Sequence, residues 1–122
     1  MCGREKVIVA APSNVAVNVK ALTDMFGDDI DTVKEIIGEY VAPSHDIIGE
    51  IVTAFEAHDA DAVGKAGHKL KSSSRAIGAD ALADLCSALE QAGKGGDWKE
   101  IEKLYPDLDP TFDAVVSFID NL

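Results

Sequence analysis

The stretch Gly64-Lys65-Ala66-Gly67-His68-Lys69-Leu70-Lys71-Ser72-Ser73-Ser74-Arg75-Ala76-Ile77-Gly78 separates its apolar and charged residues onto opposite sides of a helix. At about 100° per residue, Val63, Ala66, Leu70 and Ile77 share one side and His68 lies roughly opposite. The imidazole is therefore expected to face outward. Gly64, Lys65, Lys71 and Ser72 lie one turn from it and Arg75 lies two turns away, so small side chains and positive charges surround it.

Helices of the same kind extend in both directions. Upstream, Ile30, Val33, Ile36, Ile37, Tyr40 and Val41 recur at helical spacing, with Asp28, Asp29 and Asp31 at the positive dipole end. Ala42-Pro43 predicts a turn or kink, with Ser44 capping a next helix that carries Ile47, Ile48, Ile51, Val52 and Phe55. Asp59 or Asp61 opens the His68 helix, and Gly78 ends it. Downstream, a helix over about residues 79–92 buries Leu82, Leu85, Cys86 and Leu89, and Gly93, Gly95 and Gly96 stop it. Asp97 to Glu100 reads as a capping box. Ile101, Leu104, Tyr105, Leu108, Phe112, Val115, Val116 and Ile119 then hold helical phase to the end of the chain. Pro106 and Pro110 leave this last element either kinked or split, and the surviving phase favours a kink.

Residues 1–20 read as a loose arm, with a turn at Pro12-Ser13-Asn14 and alternating valines after it. A short helix from Ala21 to Phe26 would place Leu22, Met25 and Phe26 as a lid over one end of the core, stopped by Gly27. Residues 21–122 then form one domain. The expected fold is all-α: an antiparallel up-down-up-down four-helix bundle with a short extra N-terminal helix, since short links favour antiparallel neighbours.

The 122 residues are enough for one hydrophobic core, whereas two domains would leave neither with much interior. A net charge of −11 argues against nucleic acid or an anionic membrane surface as partner, because long-range forces would oppose the encounter. The charge is unevenly distributed. Between Gly64 and Gly78 there are four cations, Lys65, Lys69, Lys71 and Arg75, while all 22 carboxylates lie elsewhere. Cys2 and Cys86 form no Cys-x-x-Cys pair, and Cys86 sits on a leucine stripe as a small apolar group. The run Val7 to Ala11 is too short for the core of a signal peptide, and no later run approaches a membrane span. A soluble, cytoplasmic protein is expected.

An outward imidazole on a rigid helix is a nucleophile near neutral pH. A phosphoryl group on one of its ring nitrogens would carry anionic oxygens within reach of Lys71, with Lys65 and Arg75 adding to the field. The sequence has no phosphate-binding glycine loop and no acids placed beside His68 to hold a metal, so the donor must be a protein or be bound by one. His45 and His58 form no metal-ligand spacing with His68.

His68-Lys69-Leu70-Lys71, then Gly78, Leu82, Leu85-Cys86 and Leu89-Glu90, resembles the pattern of histidine-containing phosphotransfer (HPt) domains. That pattern is His-x-Leu-Lys-Gly followed by Gly, Leu and Cys-x-x-Leu-Glu, and the resemblance covers roughly residues 22–120. It implies that His68 accepts a phosphoryl group from the aspartyl phosphate of a receiver domain or hybrid histidine kinase and passes it to a response regulator. It implies that Lys71 steadies the phosphoryl oxygens. No cofactor of the chain's own is implied, the Mg²⁺ being supplied by the partner receiver, and the chain is expected to be a monomeric carrier without autonomous kinase activity. In some members the residue matching Glu90 hydrogen-bonds the ring's Nδ1. Glu90 flanks its core stripe, so it either reaches His68 in this way or is a solvated acid near a helix end. Gly64, Lys65, Ser72 and Arg75 would line the docking surface. Ser72 departs from the family's glycine and would either narrow the partner's approach or donate to the phosphate. A bundle that docks on a receiver or kinase as an adaptor or inhibitor, carrying no phosphate, is the alternative. A histidine-kinase dimerisation segment fits less well, because such segments place an acid where this chain has Lys69.

Overall fold

The computed structural model describes residues 17, 18, 20, 23, 24, 27 and 29–121. These are helical throughout their ordered elements, with no strand among the described residues: α1 (Ile30–Glu56), α2 (Ala60–Ala76), α3 (Asp80–Lys94), α4 (Trp98–Leu104) and α5 (Leu108–Asp120). A 3₁₀ turn, Tyr105–Asp107, joins the last two. The expectations for Cys2, Asp28 and the lid of Leu22, Met25 and Phe26 lie outside the described residues, as does most of the arm. Of the short helix expected over 21–26, Thr23 and Asp24 are described and helical, and the amide of Gly27, a residue at φ +89°, donates to the Thr23 carbonyl at 2.8 Å. Of the arm itself, Val17 is buried and the Asn18 amide donates to the Gly78 carbonyl at 2.8 Å.

Pro43 does not divide the first helical region. It lies inside α1, a single helix of 27 residues, and Ser44 is a buried mid-helix residue rather than a cap. A proline inside a helix costs about 3 kcal/mol through its missing amide and its ring clash. Tyr40, Ser44, Ile48 and Ile51 are buried in continuous helical phase across it, while Pro43 itself is exposed, so water can reach the carbonyl that the ring leaves unpaired. Burying each large aliphatic side chain contributes about 1.5–3 kcal/mol, which outweighs the local penalty. The Tyr40 hydroxyl lies 2.7 Å from Ser74 Oγ, and this buried bond ties α1 to α2.

The real helix ends follow their caps. Asp29 accepts from the amides of Asp31 and Thr32, Asp59 accepts from Ala62 and opens α2, and Asp97 accepts from Glu100 and opens α4. Gly78, at φ +78°, turns the chain out of α2 as expected. Gly93, expected as a stop, is an interior residue of α3, which runs on to Lys94. At the C-terminal end the phase does survive the prolines. Pro106 cannot donate to the helical ladder, so the winding tightens to 3₁₀ there, and Pro110 is accommodated in the first turn of α5, where amides lack helical partners anyway.

The core is built from Val33, Ile37 and Ile51 of α1, Val63 and Leu70 of α2, Leu82, Cys86 and Leu89 of α3, Ile101 of α4, and Leu108 and Val115 of α5. Burial pushes the Cys86 thiol up to about 12, so it is an inert apolar group here. At one end, Phe55 stacks on Tyr105 at 3.7 Å and His58 on Trp98 at 3.8 Å, closing the α1–α2 turn against α4.

Helices α2 and α3 pack with their backbones in close approach, and glycines are the reason. A Cβ placed on Gly93 would stand 2.6 Å from the Ala60 carbonyl and from Gly64 Cα. One placed on Gly67 would stand 3.1 Å from the Cys86 carbonyl, and one on Gly64 would stand 3.2 Å from the Glu90 carbonyl. The glycines weaken their helices locally, yet they let the two backbones touch beside His68.

Candidate functional site around His68

The backbone contact sets the site. With α3 this close, the side chain of Glu90 crosses to α2 and ends beneath His68, where it is only 3% exposed. His68 Nδ1 lies 2.9 Å from Glu90 Oε2, and the imidazole remains 59% exposed. Lys71, 25% exposed, places Nζ 2.6 Å from Glu90 Oε1. Lys94 completes the arrangement from the last turn of α3, with Nζ 3.0 Å from Glu90 Oε2.

One carboxylate thus receives three donors. The ammonium of Lys71, then that of Lys94, and less strongly the imidazole N–H of His68, hold the Glu90 carboxyl at about 2, overcoming the opposing effect of burial. An ionised Glu90 can only accept hydrogen bonds. Nδ1 of the neutral imidazole must therefore carry the ring proton and donate it, which leaves the lone pair on Nε2, the nitrogen turned away from Glu90. The site presents a fixed tautomer whose free nitrogen is a nucleophile.

The other expected site residues occupy varied positions. His68 and Lys71 stand together as the spacing required, and Glu90 is the buried partner of both rather than a solvated helix-end acid. Lys65 pairs with Asp61 at 3.0 Å, Lys69 with Glu50 at 2.5 Å, and Arg75 with Asp84 at 3.3 Å. The basic island therefore carries less free field than its sequence implies, since a carboxylate stands beside each of its four cations. Three of these pairs are solvent-exposed and worth only about 0–1 kcal/mol each, so they yield readily to a stronger anion. Gly64, expected on the docking surface, is buried where its helix meets α3, and it lines the cleft beside His68. Ser72 is exposed, with its hydroxyl turned back to the His68 carbonyl at 3.3 Å.

Lys94 was not anticipated. Its signal was the i, i+4 spacing from Glu90, which counts only if the helix continues past Gly93. A cleft of about 290 Å³ beside the imidazole is lined by Asp61, Gly64, Lys65, His68, Glu90 and Lys94. His45 is exposed and lies near Phe112, and His58 is stacked on Trp98, so neither joins His68. Among the described residues, no three His, Cys, Asp or Glu side chains gather to hold a metal ion, and no helix is long and apolar enough to cross a membrane.

Comparison with solved structures finds a match in the crystal structure of histidine-containing phosphotransfer protein B (HptB) from Pseudomonas aeruginosa PAO1. Its TM-score is 0.74 at 22% identity, covering 92% of this chain and 95% of that one. At that identity the match establishes the fold. No curated protein matches the chain. The family model for the Hpt domain matches residues 35–118, a span that includes α2, α3 and the whole His68–Lys71–Glu90–Lys94 arrangement. The chain belongs to the Hpt domain family.

Proposed function

We propose that the chain is a phosphorelay carrier, in which His68 takes a phosphoryl group from the aspartyl phosphate of a receiver domain or hybrid histidine kinase and passes it to a response regulator. The observation that carries this reading is the 2.9 Å contact of His68 Nδ1 with the buried Glu90 carboxylate on a ring that is 59% exposed, which turns Nε2 away from that carboxylate.

In the transfer, the Nε2 lone pair attacks phosphorus in line with the acyl oxygen. The N–P bond forms as the P–O bond to the aspartyl carboxyl breaks, and the bonding pair stays with the departing carboxylate. No proton has to move. The ring keeps its Nδ1–H and becomes a positively charged N-phosphoryl imidazolium, with that charge developing 2.9 Å from Glu90. Lys71 supplies a cation one turn from Nε2 for the phosphoryl oxygens. Transfer to the next receiver runs the same step backwards.

Mg²⁺ would belong to the receiver, which holds the acyl phosphate. In this reading the helices run up-down-up-down, the chain acts as a cytoplasmic monomer without kinase activity of its own, and Lys65, Ser72 and Arg75 border the surface the receiver covers. Mixing with a phosphorylated receiver should give acid-labile, alkali-stable phosphate on this chain, lost in His68→Gln. Equal labelling of His68→Gln would overturn the assignment. Receiver binding without phosphate appearing on the chain would favour the adaptor alternative.

A further inference from the structure

We propose that Lys94 is a positioning residue that holds Glu90 beneath His68 when Lys71 leaves it for the phosphoryl group. The inference rests on the carrier reading above and concerns what the site must do between its two states. In the structure Lys71 is not available to a phosphate: its ammonium is bound to Glu90 Oε1 at 2.6 Å. To steady phosphoryl oxygens on Nε2 it has to let go of that oxygen. Glu90, 3% exposed, would then be a buried carboxylate whose remaining partner on α2 is a ring N–H. A buried charge stripped of its counter-charge is strongly unfavourable; the carboxyl would take up a proton or swing toward water. Either outcome releases the imidazole from its fixed tautomer as Lys71 turns to the incoming phosphoryl group, while the ring is still neutral and has yet to attack.

Lys94 removes that difficulty. It approaches Oε2, the same oxygen that accepts from His68 Nδ1, and leaves Oε1 to Lys71. Lys71 can depart without disturbing the oxygen that aims the ring. The charged groups facing Glu90 are few: His68 and Lys71 from α2, and Lys94 from its own helix. Across the cleft, Lys65 is occupied by Asp61 at 3.0 Å. Lys94 is 65% exposed along its side chain, so its ammonium stays hydrated and its loss removes no core packing.

The test needs no phosphate. Long-range ¹H–¹⁵N spectra of the full chain report the His68 tautomer, and ¹³C-detected titration reports the Glu90 carboxyl. Lys71→Met imitates the departure of Lys71, and it should leave His68 in the Nδ1–H form with Glu90 ionised in mild acid. Adding Lys94→Met should raise the Glu90 titration by about one pH unit or more and mix the tautomers, whereas adding Lys94→Arg should leave both readouts as in Lys71→Met. If Lys71→Met/Lys94→Met titrates and tautomerises as Lys71→Met does, Lys94 does not hold Glu90. If the arginine fails to preserve what the methionine loses, charge is not the cause, and the proposal also falls. Should the double variant not fold, Lys94→Met alone, phosphorylated with phosphoramidate, decides: severalfold faster loss of phosphate than wild type supports the proposal, and equal lifetimes overturn it. A chain that accepts no phosphate from any receiver would sink the relay reading while leaving the spectra to judge Lys94.

Discussion

Replacing Gly93 with alanine tests how the site is assembled. The added Cβ would meet three backbone atoms of α2, at 2.6 Å from the Ala60 carbonyl, Gly64 Cα and the Gly64 amide nitrogen. Non-bonded carbon contacts settle near ~3.5–4 Å, so the helices must part by about 1 Å. Overpacking costs about 1–3 kcal/mol, and because the atoms in the way here are backbone rather than flexible side chain the upper part of that range, about 2–3 kcal/mol, applies, against about 1 kcal/mol gained from alanine's better helix propensity. The net expectation is a loss of about 1–2 kcal/mol. Gly49 is the control: it lies in α1 with nothing within 4 Å of an added Cβ, so Gly49→Ala should gain about 0.5–1 kcal/mol from the same propensity difference. At roughly 4 °C per kcal/mol, thermal melts followed by far-ultraviolet circular dichroism should place Gly49→Ala above wild type and Gly93→Ala below it by about 4–8 °C. Parting the helices also draws Glu90 away from His68, so Gly93→Ala should slow phosphotransfer at temperatures where it is fully folded. Gly93→Ala melting at or above wild type, or Gly49→Ala losing as much as Gly93→Ala, would refute the account of the α2–α3 contact.

Acid stability should carry the mark of Glu90. Folding holds its carboxyl at about 2 instead of the ordinary 4.5, so the unfolded chain binds the proton more readily. Its contribution is therefore complete above 4.5 and lost as pH falls toward 2, and Glu90→Gln should flatten that limb of the melting profile; an unchanged limb would mean the carboxylate is solvated. Tyr40→Phe removes the partner of the buried Ser74 hydroxyl and should cost about 1–2 kcal/mol in urea unfolding. Tyr40→Phe/Ser74→Ala should cost less than the sum of its single changes, and strict additivity would dissolve the bond between α1 and α2.

Much of this site could be read from the residues, and the misreadings have physical causes. The His68 helix was legible because Val63, Ala66, Leu70 and Ile77 mark its inner face and Gly78 its end, all features within a few turns of chain. Pro43 misled because the rule it obeys is local, whereas the burial that overrides it comes from residues on both sides of it meeting the rest of the bundle. Gly93 misled in the opposite direction. A glycine near a helix end usually marks the stop, and only its contact with Gly64 shows that it serves close packing, which in turn hid Lys94. The counter-charges of Lys69 and Arg75, Glu50 and Asp84, sit on other helices at separations no periodicity reports. For the same reason the spacing left open whether Glu90 reached His68 or pointed to water.

The most direct measurement of the central claim is the site of phosphate on the imidazole. Chain labelled with ¹⁵N at histidine and phosphorylated by a receiver should show one-bond coupling of ³¹P to Nε2 of His68, with Nδ1 still bearing its proton. Phosphate found on Nδ1, or on His45 or His58, would contradict the account.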